Sequence, residues 1–385
     1  MSRPVALSGP ASRAQRTGAP RFRAAVASDP AQALDGFEAL ARQGAALPFQ
    51  RRNWLANWYG AHAATHRPVL ASIFRGDTGE LAMALPLALH RDGALRVIAF
   101  ADGGLTDYNA PVLGPAAPRA VADLPALLDC LRKALPRADV LDFGKMPEAV
   151  GPLPNLFALS PQATPSRLGG NILRVPGAWD DWHRGLERTF RKELERSLRV
   201  FLKNEGAEFR RIRDAREAAH VMAQLKVQQR ERMKEQGLPY ILDDPQSETL
   251  YDGLVRDGLA TGETVLTALT AGDKVVAALL GASDGNHFAM VRLSTAGAEW
   301  KNCSPGRLLI ERTMKSLHGE GHRIFDFTIG NYPYKRRFGT EPVPLRELKL
   351  ALSWRGLPHV AGVRAKAFVK GNEKLAALAR KWLGQ

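Results

Sequence analysis

Three short apolar runs, separated by two turn sequences, lie between residues 264 and 293 and constrain the fold more than any other feature. The runs are 264–271, 275–282 and 287–293. The second turn contains Asp284-Gly285, and Asp-Gly between alternating apolar residues is a strong signal for a β-hairpin. The sequence therefore predicts an antiparallel meander of three strands.

A helix and a further strand follow the meander. Ser304 and Pro305 suit the first positions of a helix, which should end near residues 319–321. Its apolar face is formed by Ile310, Met314 and Leu317. The next apolar stretch, 324–327, contains Asp326 and ends before Gly330. The order is β-β-β-α-β, with one carboxylate placed among apolar residues.

The first half of the chain shows a similar order. Helices are predicted at 34–42 and 54–62, strands at 69–74, 81–89 and 97–101, a helix at 121–135 and a strand at 140–143. We interpret this as a degenerate repeat joined to the second half by a loop at 152–170. The predicted organisation is a disordered basic leader (1–28), an N-terminal domain (29–165), a C-terminal domain (166–355) and a basic C-terminal helix (356–385).

The net charge of +15 raises the question of nucleic-acid binding, but its distribution argues against it. Residues 1–28 and 356–385 each carry +5, which leaves only +5 for the 327 residues between them. We therefore expect no nucleic-acid partner. The two cysteines, Cys130 and Cys303, form no metal-binding or disulfide pattern, and no apolar run is long enough to span a membrane. A cytoplasmic location without a metal is the expectation.

Several motifs, in this order, resemble the GNAT acyltransferases. In particular they resemble a branch associated with cellulose and exopolysaccharide biosynthesis, which is similar to the FemAB aminoacyltransferases. The motifs are Pro48-Phe49-Gln50 before Trp54 and Trp58, Asp107-Tyr108 before Pro111, the basic segment 191–198, Ser304-Pro305-Gly306, Phe325-Asp326-Phe327 with Gly330, and Tyr334-Lys335-Arg336-Arg337-Phe338. The resemblance covers residues 30–355. It implies an α/β fold of two tandem GNAT-like units, each a mixed, mostly antiparallel sheet flanked by helices.

The resemblance also implies an activity: transfer of an acetyl or longer acyl group from acyl-CoA to an amine or hydroxyl of a sugar, a polysaccharide precursor or a related small molecule. The backbone of Val291 and Leu293 would bind the acyl carbonyl where strands 287–293 and 324–327 diverge. Ser304, Gly306 and Arg307 would hold the CoA pyrophosphate at the start of a helix. The sequence departs from the family pattern in a shortened phosphate loop, and in Asn331-Tyr332 where the family usually has an acidic residue.

Individual residues leave alternatives open. Asp326 is the candidate base, or else a buried side chain that caps the following loop. Tyr334, or Tyr332, would protonate the leaving thiolate or pack on the sheet. Asp107 and Tyr108 are candidates for acceptor binding. Lys335 would bind a phosphate or an acidic acceptor, or lie on an exposed strand edge.

Other residues are predicted to be structural. Cys303, Trp54 and Trp58 are expected in the core, whereas His287 and His318 are expected on the surface. The segment Gly281-Ala282-Ser283-Asp284-Gly285 matches the hydrolase nucleophile motif, but a strand follows it where that motif requires a helix, so we interpret it as a turn.

Two long helices are predicted at 179–204 and 214–234, with a short strand at 207–212 between them. The basic face of the first helix is either a solvated surface or a cationic wall for CoA phosphates or an anionic acceptor.

Two other functions remain open. A FemAB-like transferase would use aminoacyl-tRNA and would need a broad basic face. A non-catalytic scaffold of a polysaccharide-synthesis system would explain the shortened phosphate loop.

Overall fold

A single mixed sheet of 13 strands forms the centre of the protein in the computed structural model, which describes residues 20–27, 29–240 and 242–371. The strands are β1 (Phe22–Val26), β2 (Arg67–Arg75), β3 (Leu81–Asp92), β4 (Leu95–Phe100), β5 (Val112–Leu113), β6 (Val140–Pro147), β9 (Thr164–Arg174), β10 (Ala207–Ile212), β11 (Thr264–Ala271), β12 (Lys274–Ser283), β13 (His287–Thr295), β14 (Ile324–Asp326) and β15 (Glu341–Ala351). A separate small hairpin is formed by β7 (Ala149–Val150) and β8 (Leu153–Pro154).

Helices cover both faces of this sheet. They are α1 (Pro30–Gln43), α2 (Arg52–Ala61), α3 (Leu124–Ala134), α4 (Trp179–Gly185), α5 (Arg188–Phe201), α6 (Ala215–Glu235), α7 (Pro245–Gly258), α8 (Pro305–Gly319), α9 (Pro333–Arg337) and α10 (Leu357–Gly371). Short 3-10 helices lie at Pro48–Gln50, Val121–Asp123, Ala298–Cys303 and Trp354–Gly356. Within the described ranges, no helix is both long and apolar enough to cross a lipid bilayer.

The order of the strands shows an internal repeat. It runs β1-β2-β3-β4-β6-β15-β9-β14-β13-β12-β11-β10, with β5 beside β3. Each half is an antiparallel series closed by one parallel pair, β4 with β6 in the first half and β13 with β14 in the second. The structure is thus an α/β fold of two tandem GNAT-like units, as predicted.

The last strand of each half pairs with the other half. β9 follows the first series of strands but pairs with β14 of the second, and β15 follows the second series but pairs with β6 of the first. The two strands also pair with each other, which makes the sheet continuous. The predicted boundary between residues 165 and 166 therefore lies inside β9.

Asp142 and Asp326 occupy equivalent positions in the two halves. In the first half Asp142 is paired with Ala99, and in the second Asp326 is paired with Ala289. The surrounding sequences, Val-Leu-Asp-Phe and Ile-Phe-Asp-Phe, are alike. Asp142 forms an ion pair with Lys349, whereas Asp326 lies in a different, buried environment.

Most elements predicted from periodicity are confirmed. The meander, the Asp284-Gly285 turn and helix α8 lie where they were expected, and Gly285 has the positive φ of 93° that its turn requires. Asp214 caps α6 by accepting from the amides of Arg216 and Glu217. Ser304 precedes α8, but its backbone is left-handed and its side chain caps no amide, contrary to its predicted role.

Three predictions for regular structure were wrong. The region 152–170, predicted to be a loop, contains most of β9, because Pro165, Gly169 and Gly170 obscure its strand character. The single helix predicted at 179–204 is broken after Gly185 into α4 and α5, and α7 was not predicted.

The predicted C-terminal helix is present as α10 up to residue 371, and its remainder lies outside the described residues. Most of the predicted leader also lies outside them, although 22–26 form β1.

The apolar core of the described residues consists of two large clusters and one small one. One large cluster includes Trp54 and Trp58 and packs beneath α1, α2, α6 and α7. The other large cluster includes Phe190, Cys303 and Phe325 and packs beneath α5 and α8. The prediction that Trp54, Trp58 and Cys303 are core residues is confirmed, because all three are buried.

Candidate active site

A buried carboxylate at the end of β14 is the centre of the candidate site. Asp326 is only 2% exposed. Its Oδ1 accepts hydrogen bonds from the Tyr108 hydroxyl at 2.8 Å and from the Thr328 amide at 2.7 Å. Its Oδ2 lies 3.3 Å from Nε2 of His287. Asp326 therefore caps the loop that follows it, and it also joins the two halves of the chain.

Tyr108 reaches Asp326 from the loop after β4. Its backbone carbonyl accepts a hydrogen bond from Gln50 Nε2 at 3.0 Å, and its ring lies edge-on to Phe49. Burial, and then the neighbouring charge of Asp326, raise the pKa of Tyr108 well above its usual value. The phenol is therefore a neutral donor to Asp326. The structure brings together two residues that were predicted separately, the candidate base and the candidate acceptor-binding tyrosine.

His287 is part of this site, so the prediction that it lies on the surface was wrong. It is 6% exposed at the start of β13, where its amide donates to the Asp284 carboxylate at 2.8 Å. Because a carboxylate can only accept, the ring must donate its Nε2–H to Asp326. This tautomer leaves Nδ1 with a lone pair, and no hydrogen bond to Nδ1 occurs among the described residues. The pair can therefore act as a base held in place by a carboxylate.

A cavity of about 290 Å³ adjoins these residues. Its lining includes the buried residues Tyr108, His287 and Asp326. The more exposed residues Glu148, Arg174 and Glu341 also line it. Within the described part of the chain, no group of three or more His, Cys, Asp or Glu residues is arranged to hold a metal ion.

Lys335 lies beneath the loop after Asp326. It belongs to α9, not to a strand edge, and is 2% exposed. Its ammonium donates to the carbonyls of residues 327, 328 and 329 at 2.6–3.1 Å. Burial lowers the pKa of Lys335 to about 8, and the nearby carboxylates of Asp107 and Asp326 oppose this shift. Because all three N–H groups are used, Lys335 shapes the loop and in this arrangement has no donor left for the predicted acceptor.

Asp107 lies beside the same loop. Burial raises its pKa to about 6, whereas a hydrogen bond with the Thr328 side chain and the charge of Lys145 lower it.

Thr328 has a left-handed backbone with φ of 57°, a conformation that is uncommon outside glycine. Asn171 of β9 holds this turn by donating to the carbonyls of Thr328 and Gly330, both at 3.0 Å.

The ladder between β13 and β14 ends beside the residues predicted to bind an acyl carbonyl. The pairing of β13 with β14 ends at Ala289. Immediately afterwards the register between β12 and β13 shifts, because Leu280 pairs with Arg292 and Gly281 with Met290. Val291 is therefore the extra residue of a β-bulge. The carbonyl of Leu293 accepts a hydrogen bond from Gln229 Nε2 at 3.1 Å.

The predicted CoA-binding residues lie together at the start of α8. A Cβ atom at Gly306 would lie 3.2 Å from the Thr295 side chain and 3.6 Å from that of Leu293, so the helix starts close against β13. Arg307 donates to Ser304 Oγ at 2.8 Å and to Glu193 at 3.0 Å. Arg307 is thus already paired, which was not expected.

Tyr334 is half-buried at the edge of the second apolar cluster and stacks against the exposed Tyr332. Burial and the neighbouring Tyr332 raise the pKa of Tyr334 to about 12. Tyr334 forms no hydrogen bond with Asp326, so the structure does not bring the two predicted catalytic residues into contact.

A second polar cluster beside the bulge was missed. It contains Arg292 of β13, Gln229 of α6 and Tyr240 of the loop between α6 and α7. The available signal was Arg292 itself, a charged residue in the middle of the otherwise apolar sequence Phe-Ala-Met-Val-Arg-Leu.

Comparison with known proteins agrees with this geometry. Residues 188–336 match a family model described as Acetyltransferase (GNAT) domain. This segment contains His287, Val291 and Asp326. Tyr108 lies outside it, in the preceding half. No curated protein matches the chain.

Solved structures resemble nearly the whole chain. FemX is 14% identical with a TM-score of 0.58, and the match covers 83% of this chain and 96% of that one. A conserved protein of unknown function from Bacteroides thetaiotaomicron VPI-5482 is 12% identical, with a TM-score of 0.53 and coverage of 85% and 99%. The C-terminal domain of a putative lysylphosphatidylglycerol synthetase from Agrobacterium fabrum is 11% identical, with a TM-score of 0.50 and coverage of 89% and 97%. At these identities the likeness shows the fold alone.

Substitution of Gly170 tests the contact between Tyr108 and β9. An added Cβ would lie 2.1 Å from the Tyr108 hydroxyl, so the phenol must move and its bond to Asp326 must break. We expect Gly170→Ala to lower the free energy of unfolding by about 1–3 kcal/mol in urea titrations. Gly169→Ala is the matched control, because its Cβ would meet only the Val343 carbonyl at 3.7 Å. Equal losses in the two variants would contradict this interpretation.

Asp107→Asn should make stability less dependent on pH. Because the folded-state pKa of about 6 exceeds the usual 3.8, stability from Asp107 is present below pH 3.8 and is lost as pH rises through 6. We measure the change in the free energy of unfolding that Asp107→Asn causes relative to the wild type. We expect this change to be about 2 kcal/mol more stabilising at pH 7.5 than at pH 4.5. Asp129→Asn, which replaces an exposed carboxylate, serves as the control. A difference of the same size in both variants would rule out the proposed cause.

Proposed function

We propose that the protein is an acyltransferase that moves an acetyl or longer acyl group from acyl-CoA to an amine or hydroxyl of a sugar or polysaccharide precursor. The observation that carries this proposal is the β-bulge at Val291, beside the point where β13 and β14 separate, on the strand that also bears His287. A bulge leaves backbone groups without ladder partners, and such groups can bind a carbonyl oxygen that gains negative charge.

Acyl transfer requires removal of a proton from the attacking group. His287 is suited to this step through its Nδ1 lone pair. Asp326 orients the ring and stabilises the imidazolium that forms, while Tyr108 and the Thr328 amide hold the carboxylate in place. In this assignment His287 is the base and Asp326 is its positioning residue, a refinement of the role predicted for Asp326.

The spacing along β13 suits this division of roles. Val291 lies four residues after His287, about 13 Å along a strand, and Met290 lies about 10 Å away. Three contacts would connect the base to the bulge: base to attacking atom, attacking atom to carbonyl carbon, and carbonyl oxygen to backbone amide. When each contact is near 3 Å, they together also span about 10 Å. An acceptor group at the imidazole can therefore attack an acyl carbonyl whose oxygen contacts the backbone at the bulge.

The donor would approach from the start of α8. Free N–H groups at a helix start favour phosphate, and Gly306 keeps the backbone of this turn unobstructed by a side chain. Arg307 could contact phosphate only by sharing or leaving Glu193. Tyr334, held neutral by its raised pKa, is the proposed acid for the leaving thiolate.

The acceptor would occupy the cavity whose lining includes Tyr108, His287 and Asp326. Its volume of about 290 Å³ is suited to a single sugar unit or a similarly small group. The Glu148, Arg174 and Glu341 side chains that also line it can bind hydroxyl and amino groups. We propose that Tyr108 and Asp107 help to form this acceptor site from the preceding half of the chain.

The Arg307–Glu193 pair favours a second candidate, because it reduces the charge available to CoA phosphates. A FemAB-like transferase would take its acyl group from aminoacyl-tRNA at the same bulge and the same histidine.

Titration with acetyl-CoA distinguishes the two donors. We expect isothermal calorimetry to give a micromolar Kd for acetyl-CoA with the wild-type protein. Gly306→Asp should weaken binding at least tenfold, because a carboxylate at the helix start repels phosphate. Gly319→Asp, at the other end of α8 and with open space around it, should bind as the wild type does. Failure of the wild-type protein to bind acetyl-CoA or CoA would contradict the acyl-CoA proposal.

A further inference from the structure

A buried guanidinium lies directly after the bulge. Arg292 is 3% exposed. Its Nε and Nη2 both donate to Gln229 Oε1, at 3.0 and 2.6 Å, and Nη2 also donates to the Tyr240 hydroxyl. Its central carbon lies 4.6 Å from the centre of the Tyr251 ring. All of these partners are neutral.

The charge of Arg292 is not balanced locally. Among the described residues, no carboxylate lies within 4 Å of its nitrogens. By contrast, the neighbouring Arg230 of α6 pairs with Asp243 at 2.6 Å. A buried cation that meets only neutral groups lowers stability, because hydrogen bonds replace only part of its lost hydration. Such an arrangement is explained if the partner of Arg292 is an anion that binds during function.

Hydrogen bonds fix the position of the guanidinium and leave one of its nitrogens, Nη1, for such a partner. Gln229 Oε1 accepts hydrogen bonds from both Nε and Nη2 of Arg292. Gln229 Nε2 donates to the Leu293 carbonyl, which fixes the position of the Gln229 side chain. Tyr240 also donates to the same Oε1 at 3.0 Å. Nη1 makes no hydrogen bond within the described structure, so its two N–H groups remain available.

Arg292 is next to the proposed carbonyl site. It directly follows Val291, the bulge residue of β13, and its guanidinium lies over the ring of Tyr251. Burial raises the pKa of Tyr251, and the charge of Arg292 opposes this shift. An anionic group on a molecule that reacts at the bulge would therefore lie close to the guanidinium.

We infer that Arg292 is a specificity-determining residue that binds an anionic oxygen, from a carboxylate or a phosphate, on the acyl acceptor. This inference rests on the proposed function for the identity of the ligand as the acceptor. It narrows the acceptor to molecules that carry a negative group in addition to the amine or hydroxyl that receives the acyl group.

Paired probes that differ only in the anionic group test the inference. Alanine and alaninamide differ by a carboxylate, and glucosamine 6-phosphate and glucosamine differ by a phosphate. Binding of all four is measured by calorimetry, with acetyl transfer from acetyl-CoA followed separately by thiol release. We expect the wild-type protein to bind the anionic member of at least one pair tenfold more tightly, and that pair identifies the anion as carboxylate or phosphate.

Substitutions test whether Arg292 causes this preference for the anionic probe. Arg292→Met removes the charge at similar length and should reduce the preference to less than twofold, whereas Arg292→Lys should retain part of it. Arg230→Gln is the matched control, because it removes a nearby cation that is already paired, and should keep the preference. Without ligand, Arg292→Met should unfold at the same or a higher temperature than the wild type, since it removes an unbalanced buried charge.

The outcomes separate this inference from the proposed function. Equal binding within both pairs, no binding of any probe, or a preference that survives Arg292→Met would overturn the role of Arg292. A clear drop in the melting temperature of Arg292→Met with no change in preference would show a purely structural role. If the preference is present and depends on Arg292, but no acceptor is acetylated, the anion site stands and the acyl-CoA activity fails.

Discussion

The hydrogen bonds to the Asp326 carboxylate are the interaction on which the rest of the site depends. A carboxylate that is almost completely buried is stable only if donors replace its hydration. Here the donors come from three distant parts of the chain, the loop after β4, the start of β13 and the turn after β14. Folding must therefore bring together two residues 218 positions apart, and that requirement fixes the relation of the two halves at this point.

The exchanged strands provide this relation. β9 and β15 pair with each other and with the opposite half, so one continuous sheet carries both halves of the site. Asn171 connects the sheet to the site, because it lies on β9 and donates hydrogen bonds to two carbonyls of the turn after Asp326. Lys335 holds the same turn from below. The polar groups of this region are thus bound into one network, which favours a single arrangement of the candidate base.

The sequence predicted the elements that depend on local patterns, but not those that depend on distant partners. The meander and helix α8 have clear periodicity and turn signals. Asp326, Asp107 and Tyr108 were each predicted as site residues, but their contact was not predicted. His287 was placed on the surface because its partner, Asp326, lies 39 residues later on a parallel strand. Lys335 stands among other basic residues, so it was expected to bind a phosphate or an acidic acceptor, or to lie on an exposed strand edge. Only the fold shows the carbonyls that surround it. β9 was missed because its strand pairing is entirely with residues after 320.

The most direct test of this account is the activity of His287→Gln with acetyl-CoA and an accepted substrate. Glutamine can still donate a hydrogen bond to Asp326 but cannot take up a proton, so the buried carboxylate remains satisfied while the base is lost. The account predicts a fall in kcat of about 10²–10⁴-fold with little change in the Kd of acetyl-CoA. His318→Gln, which alters a histidine whose ring is hydrogen-bonded to the Gly177 carbonyl, should leave kcat unchanged. A His287→Gln protein that keeps most of the wild-type kcat would contradict the assignment of His287 as the base.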